Sequence, residues 1–326
     1  MAALRELLLR HPWYAGTNLF AGGLFCLVAA QFFGQKFLAA GQVLVFCGIV
    51  ATLLRHGRAA FEWRRWGTSA VCLAVFLAVA SLSVLGNLSV VEQPFDHLAK
   101  LRIFVIYLLA LAMPALIGRN LGVPWRRDSL VLAWLVPMGL AILVGLYGWI
   151  TGDRLVGDES HSDARRLSGF YGQVMTFANC LQFSVVALAA FVFLPGLWRR
   201  TTRLPFWIAV LALLAAGGGL YLTYTRGAML GTAVGLLVFG AMKSRKILLG
   251  VVALGLVAAA FSWFQGSRYF DTKSVSAREN HWRAAALAAL ERPVLGWGYR
   301  NFELQSAELK ERYGFEKDVS WRDGKR

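Results

Sequence analysis

The feature that most constrains this chain is the regular return of long apolar runs between residues 18 and 264. Each run approaches the roughly 20 residues that an α-helix needs to cross a bilayer. Only 16% of the residues are charged and 57% are hydrophobic, whereas a soluble domain carries about 25% charged residues. The alternation typical of membrane strands does not occur. The sequence therefore predicts an all-α integral membrane protein, folded as a polytopic helical bundle.

We predict about nine transmembrane helices and two regions. Residues 1–264 form the transmembrane bundle, and residues 265–326 form a partly helical segment outside the membrane. The predicted spans are 18–33, 37–54, 68–85, 101–118, 129–150, 173–197, 204–221, 227–242 and 247–264.

Arginine and lysine concentrate in alternate linkers, those after the second, fourth, sixth and eighth spans. Short loops rich in these residues stay in the cytoplasm. The bias predicts a cytoplasmic N-terminus and places 265–326 on the outer side. It also accounts for the net charge of +16, so we expect membrane lipids and no nucleic acid among the partners.

The residue types that signal a cofactor or a metal are not arranged as such sites require. The four cysteines lie inside apolar runs, which disfavours a disulfide framework or a zinc site. Asp153, Asp158 and Asp163 are scattered along one linker, and neither a phosphate-binding glycine loop nor a zinc-protease motif is present. We predict no cofactor and no metal.

Arg226 lies between two apolar runs, 204–221 and 228–242. An arginine at the centre of a membrane helix costs about 2.5–3.5 kcal/mol on insertion scales, so its presence needs a reason. One reason is a side chain that extends to the lipid headgroups, and another is an anion ligand at the mouth of a membrane-embedded site. The predicted topology places Arg226 on the outer side, where arginine is disfavoured, and this favours the anion ligand.

Further arginines fall on the same predicted side: Arg165 and Arg166 before the sixth span, and Arg278 in the outer segment. Guanidinium groups stay charged and grip phosphate oxygens with paired donors. Ser276 and Glu279 have the spacing of a capping box, which predicts a helix over 277–291. We predict that Arg165, Arg166, Arg226 and Arg278 bind a pyrophosphate.

Four segments resemble the bacterial O-antigen ligase and polymerase family. Thr225-Arg226-Gly227-Ala228 is similar to its Ser-Arg-(Gly/Ser)-Ala signature, and Arg166-Leu-Ser-Gly169 resembles its Arg-Leu-x-Gly segment. Residues 276–285 and 292–302 resemble its arginine–tryptophan helix and its Pro-x-x-Gly-x-Gly turn. The order and spacing agree from about residue 150 to 310.

The resemblance implies a transferase at the outer face of the bacterial inner membrane. Its donor is a glycan on polyprenyl (undecaprenyl) pyrophosphate, and in the favoured ligase branch the acceptor is the lipid A core of lipopolysaccharide. The matching arginines, Arg226 and Arg278, are the expected catalytic residues, which stabilise the leaving pyrophosphate without a metal. His281 and Trp282 are possible lining residues of the site.

One family element is not found. The family carries a histidine, the expected general base, after its outer loop, and none of the five histidines here holds that position. We therefore expect a C-terminally truncated member whose family continues with more spans, and we assign no general base in this chain.

Other functions remain open from the sequence. The same arginines suit an O-antigen or exopolysaccharide polymerase and a protein O-oligosaccharyltransferase of the same family. A transporter of lipid-linked glycan would also hold phosphate with arginines, although it should show an internal repeat or broken helices near the bilayer centre. A purely structural scaffold would leave the arginines unexplained.

Overall fold

The structure is a computed structural model that describes residues 16–33, 35–56, 67–89, 91, 94–111, 124–152, 166–171, 173–245, 248–250, 252–253, 273–299, 302 and 312. Within these ranges the regular elements are helices: α1 (Gly16–Phe33), α2 (Gln35–His56), α3 (Thr68–Leu85), α4 (Pro94–Lys100), α5 (Arg102–Leu111), α6 (Pro124–Thr151), α7 (Val174–Phe193), α8 (Pro195–Thr201), α9 (Phe206–Leu222), α10 (Arg226–Lys243) and α11 (Lys273–Glu291).

Within the described residues, three helical segments are long and apolar enough to cross a membrane: Thr68–Leu85, Arg126–Thr151 and Val174–Phe193. The bent pair α8 and α9 supplies a fourth if it counts as one span, and Asn18–Phe33 and Leu38–Leu54 are shorter apolar helices. On α3, Val71, Val75, Val79 and Leu82 are exposed, as expected for a face in contact with lipid tails. These findings confirm the all-α membrane protein. The number nine stays a prediction, because 112–123 and 254–272 lie outside the described residues.

The chain divides into two compact units. One comprises Met1–Ala60 with Ala115–Tyr269, and the other comprises Phe61–Pro114 with Phe270–Arg326. Most of the predicted outer segment, residues 270–326, thus groups with α3, α4 and α5. Its assignment to the outer side of the membrane stays a prediction.

In the larger unit the core lies where α6, α7 and α9 meet. Phe177, Leu181 and Leu188 of α7 are fully buried there, and α1 packs on α2 and α6 while α10 packs on α7. Trp134 Nε1 donates to Ser184 Oγ at 3.1 Å, which joins α6 to α7 by a hydrogen bond. The core therefore fixes α7 and α9, and α9 leads directly into the α9–α10 junction.

In the smaller unit α3 packs against α4 and α5. Phe76 of α3 meets Phe104 of α5 edge-on, with ring centroids 5.1 Å apart. This unit contains α11, and therefore Arg278.

Two predicted boundaries were wrong. The helix in the span predicted over 173–197 ends at Phe193. The next two helices, α8 and α9, are bent by 109° relative to each other. Proline lacks an N–H and disfavours helical backbone in the residue before it, so Leu194 before Pro195 interrupts the helix. The outer helix begins at Lys273 rather than after Ser276, because no helix-breaking residue separates the two. The sequence also predicts a second short outer helix over 303–312, which falls almost wholly outside the described residues.

Candidate functional site

The junction between α9 and α10 is a tight turn of three residues, Thr223, Tyr224 and Thr225. Tyr224 has φ of 51°, a left-handed conformation that costs a non-glycine residue about 1–3 kcal/mol. Thr223 is fully buried, its hydroxyl donates to Leu220 O at 2.7 Å, and it accepts the Thr225 amide at 3.2 Å. These bonds close the turn and direct the chain into α10, whose first residue is Arg226.

Arg166 binds this turn from the side. Its Nε donates to Thr223 O at 3.0 Å, and its Nη2 lies 3.4 Å from both Tyr224 O and Thr225 Oγ1. The amide of Leu167 adds a bond to Leu222 O at 3.1 Å. Hydrogen bonds from a charged group contribute roughly 1.5–3 kcal/mol each, comparable with the strain at Tyr224. Arg166 therefore stabilises the strained turn that precedes Arg226.

The segment Arg166–Gly169 is built into the core. Leu167 is fully buried, and Gly169 has φ of 58°, a conformation natural to glycine. On α6, a Cβ added to Gly145 would lie 2.7 Å from Leu167 Cγ and 3.1 Å from the Gly169 amide. The absence of a side chain at Gly145 thus allows the segment to approach α6. The Arg-Leu-x-Gly pattern has a packing explanation beside its predicted chemical one.

Tyr171 fixes the other end of the same loop. Its hydroxyl donates to Gln31 O at 2.5 Å, near the end of α1. Burial raises the pKa of Tyr171, so the hydroxyl remains a donor across the neutral range. Arg166 and Tyr171 together tie the loop to the α9–α10 turn and to α1.

Arg226 is exposed at the N-terminus of α10. The first N–H groups of a helix have no acceptor within it, and the helix dipole makes this end positive. Thr225 precedes them without a side-chain cap, and its hydroxyl lies beside Arg166 instead. A cationic side chain and backbone donors thus occupy the same helix end, an arrangement that suits a phosphate.

The remaining predicted site residues are only partly described. Arg165 lies outside the described residues. Arg278 lies in α11, but its side chain is likewise not described. His281 and Trp282 are both exposed on α11, Trp282 to 75%. Because α11 and Arg226 belong to different compact units, the convergence of Arg226 with Arg278, His281 and Trp282 stays a prediction.

The turn after α11 has the shape that its sequence pattern suggests. Gly296 and Gly298 have positive φ of 62° and 98°. Trp297 Nε1 donates to Ala288 O at 3.0 Å, and the Arg292 guanidinium carbon lies 4.3 Å from the Trp297 ring centroid. The turn is therefore folded back on its own helix.

Three residues that the sequence did not single out contact this turn: Ser83, Asn87 and His97. They lie in and after the third predicted span, more than two hundred positions before the turn. No local pattern identifies them, since a serine, an asparagine and a histidine near a helix end are ordinary in sequence. Within the described ranges, no group of three or more His, Cys, Asp or Glu side chains is placed to hold a metal ion.

Comparison with known proteins gives one family match. Residues 208–320 match the family described as O-antigen ligase. The matched region includes the turn residue Tyr224, Arg226, helix α11 and the turn that follows it, whereas Arg166 and the α3–α4 region lie outside it. No curated protein and no solved structure gives a significant match. The match does not distinguish the branches of the family. The motifs around Arg226 and Arg278 lie inside the matched region, and this part of the chain is similar to the O-antigen ligase family.

Proposed function

We propose that this protein is a membrane glycosyltransferase that moves O-antigen glycan from polyprenyl pyrophosphate onto the lipid A core. The observation that carries the proposal is the placement of Arg226. It is an exposed cation at a helix N-terminus, directly after a strained turn that buried threonines and Arg166 stabilise. An arginine held this firmly stabilises a dianionic or trianionic group better than a flexible surface arginine does.

The reaction would be a displacement at the anomeric carbon of the glycan. The acceptor hydroxyl oxygen forms the new bond to that carbon, and the bond from the carbon to the pyrophosphate oxygen breaks. The electron pair leaves with the polyprenyl pyrophosphate, and the hydroxyl proton passes to a general base. Negative charge grows on the bridging phosphate oxygen as the bond breaks, and Arg226 with Arg278 would stabilise it.

The arginines would have different roles. Arg226 and Arg278 would bind the pyrophosphate directly, and Arg165 would extend the cationic surface beside them. Arg166 was predicted to bind the same anion. Its hydrogen bonds to Thr223, Tyr224 and Thr225 favour a positioning role, in which it holds the turn that presents Arg226.

A vesicle assay tests the function. The full-length protein is reconstituted with a polyprenyl-pyrophosphate-linked glycan and lipid A core, and both glycosylated core and free polyprenyl pyrophosphate are measured. The proposal predicts equal amounts of the two products. Movement of intact donor across the bilayer without bond cleavage would instead indicate a transporter. Extension of one lipid-linked glycan by another, with the core left unmodified, would assign the polymerase branch.

A further inference from the structure

The turn after α11, residues 292–299, is attached to the end of α3 and to α4 by three hydrogen bonds. Ser83 Oγ donates to Leu295 O at 2.5 Å, and Arg292 Nη1 donates to Asn87 Oδ1 at 2.5 Å. His97 Nδ1 lies 2.7 Å from Tyr299 O. We call Ser83, Asn87 and His97 the turn dock.

Two members of the turn dock are deeply buried and hydrogen-bonded. Asn87 and His97 are each 4% exposed, and a polar group so placed is costly unless it has partners. Asn87 uses both ends of its amide, since Nδ2 donates to Ser83 O at 2.8 Å while Oδ1 accepts from Arg292. The turn 292–299 therefore supplies hydrogen-bond partners that α3 and α4 do not supply alone.

The bond to Tyr299 fixes the tautomer of His97. A carbonyl oxygen only accepts, so Nδ1 carries the proton in this contact. In the neutral ring Nε2 is then the unprotonated nitrogen. His97 thus acts toward the turn as a hydrogen-bond donor, a role that an asparagine amide can reproduce, because its Nδ2 takes the position of Nδ1.

Apolar contacts accompany the polar ones. The rings of Phe76 and Tyr299 meet edge-on with centroids 6.2 Å apart. A Cβ added to Gly86 would lie 2.5 Å from Leu295 Cδ1, so the turn occupies the space that a side chain at position 86 would fill. The contact is close-packed as well as hydrogen-bonded.

We propose that Asn87 and His97 are positioning residues for glycan transfer. They fix the turn 292–299 against the end of α3. This turn also fixes the C-terminal end of α11, because Trp297 bonds Ala288 there. Arg278 lies in that helix, so the turn dock would set its place relative to the membrane surface. The link to transfer rests on the proposed function, whereas the docking itself does not.

The predicted topology supports the arrangement. The linker after α3 and the segment 265–326 were both predicted on the outer side, and a contact between them requires that they share a side. The turn dock lies outside the family match over 208–320. It therefore adds residues from the N-terminal third of the chain to a function assigned to the C-terminal half.

Hydrogen exchange of the full-length protein in nanodiscs tests the docking. Amides of 292–299 should exchange about three- to tenfold faster in His97→Leu and Asn87→Leu, because each lost bond shifts the local opening equilibrium by roughly that factor. His97→Asn is the matched control and should retain protection. Amides in α6 and α7 report whether the variants fold.

The same variants are then assayed for transfer beside Arg226→Ala. The proposal predicts that transfer at saturating donor falls at least tenfold in His97→Leu and Asn87→Leu, and stays near wild type in His97→Asn. Unchanged exchange in the two leucine variants would overturn the docking. Faster exchange with undiminished transfer, while Arg226→Ala abolishes transfer, would overturn the positioning role. If Arg226→Ala itself transfers normally, the proposed function fails and the exchange data still decide the docking.

Discussion

At the scale of single residues, the two arginines at the α9–α10 junction differ in their contacts. Arg166 is half-buried and bonds the backbone of the turn, whereas Arg226 is exposed at the start of α10. The strain at Tyr224 and the bonds from Arg166 have similar magnitudes, roughly 1–3 kcal/mol. Removing Arg166 should therefore relax the turn rather than unfold the bundle.

We predict that Arg166→Lys lowers glycan transfer by at least tenfold. The lysine ammonium is a single point charge and cannot span the carbonyls of Thr223 and Tyr224 as the planar guanidinium does. Amide exchange at 222–226, measured without donor, should rise in the same variant. Arg203→Lys, at an exposed position in the linker between α8 and α9, is the control. Normal exchange at the turn together with weaker donor binding would show that Arg166 is a ligand instead.

The junction also shows what a sequence can reveal at this scale. Arg226 was found because arginine is disfavoured beside a span on the predicted outer side of the membrane. The special backbone of Tyr224 was not foreseen, because tyrosine carries no preference for positive φ and the surrounding threonines impose it. Asn87 and His97 were missed for a different reason: their partners are more than two hundred residues away.

At the scale of elements, packing of the 166–169 segment on α6 decides how close the loop comes to the turn. Gly145 and Gly139 both lie in α6, but only Gly145 faces Leu167, while a Cβ at Gly139 meets nothing within 4 Å. The two glycines therefore form a matched pair for substitution by alanine.

Gly145→Ala should lower the free energy of unfolding by about 1–3 kcal/mol relative to Gly139→Ala. Both substitutions gain the same helix propensity, so the difference isolates the clash with Leu167 and the Gly169 amide. Thermal unfolding in detergent measures it. Equal midpoints for the two variants would mean that the loop does not pack on α6 as described.

Helix ends were the least predictable elements. The hydropathy pattern located the runs that became α1, α2, α3, α6, α7, α9 and α10, but it carried the sixth span across Pro195. There the chain breaks and bends, and Trp198 Nε1 donates to Leu204 O at 2.8 Å across the corner. Thr202 Oγ1 and the Arg203 amide also bond Asp128 Oδ1 at 2.6 and 2.8 Å. These tertiary contacts fix the bend, and no local propensity encodes them.

At the scale of the whole molecule, the orientation of α10 determines on which side Arg226 acts. The helix has 18 residues, about 27 Å at 1.5 Å per residue. If it crosses the membrane as the predicted span 227–242 does, its ends lie near opposite faces. The positive-inside pattern predicts that Arg226 is outside and Lys243 inside.

Cysteine labelling tests this orientation. An impermeant thiol reagent added to intact spheroplasts should label Gly227→Cys and should label Lys243→Cys only after permeabilisation. Both positions are exposed, so accessibility within the protein does not limit either reaction. The four native cysteines are replaced first. The reverse labelling pattern would place Arg226 in the cytoplasm and remove it from an outer-face reaction.

The central claim is that Arg226 stabilises the departing pyrophosphate during glycan transfer. The most direct measurement is single-turnover transfer by the full-length protein in vesicles at saturating donor, comparing wild type with Arg226→Ala. Loss of one well-placed donor to a developing charge typically costs about 10²–10³-fold in rate, and we predict a fall of that size with membrane insertion unchanged. A single-turnover rate equal to wild type would contradict the account.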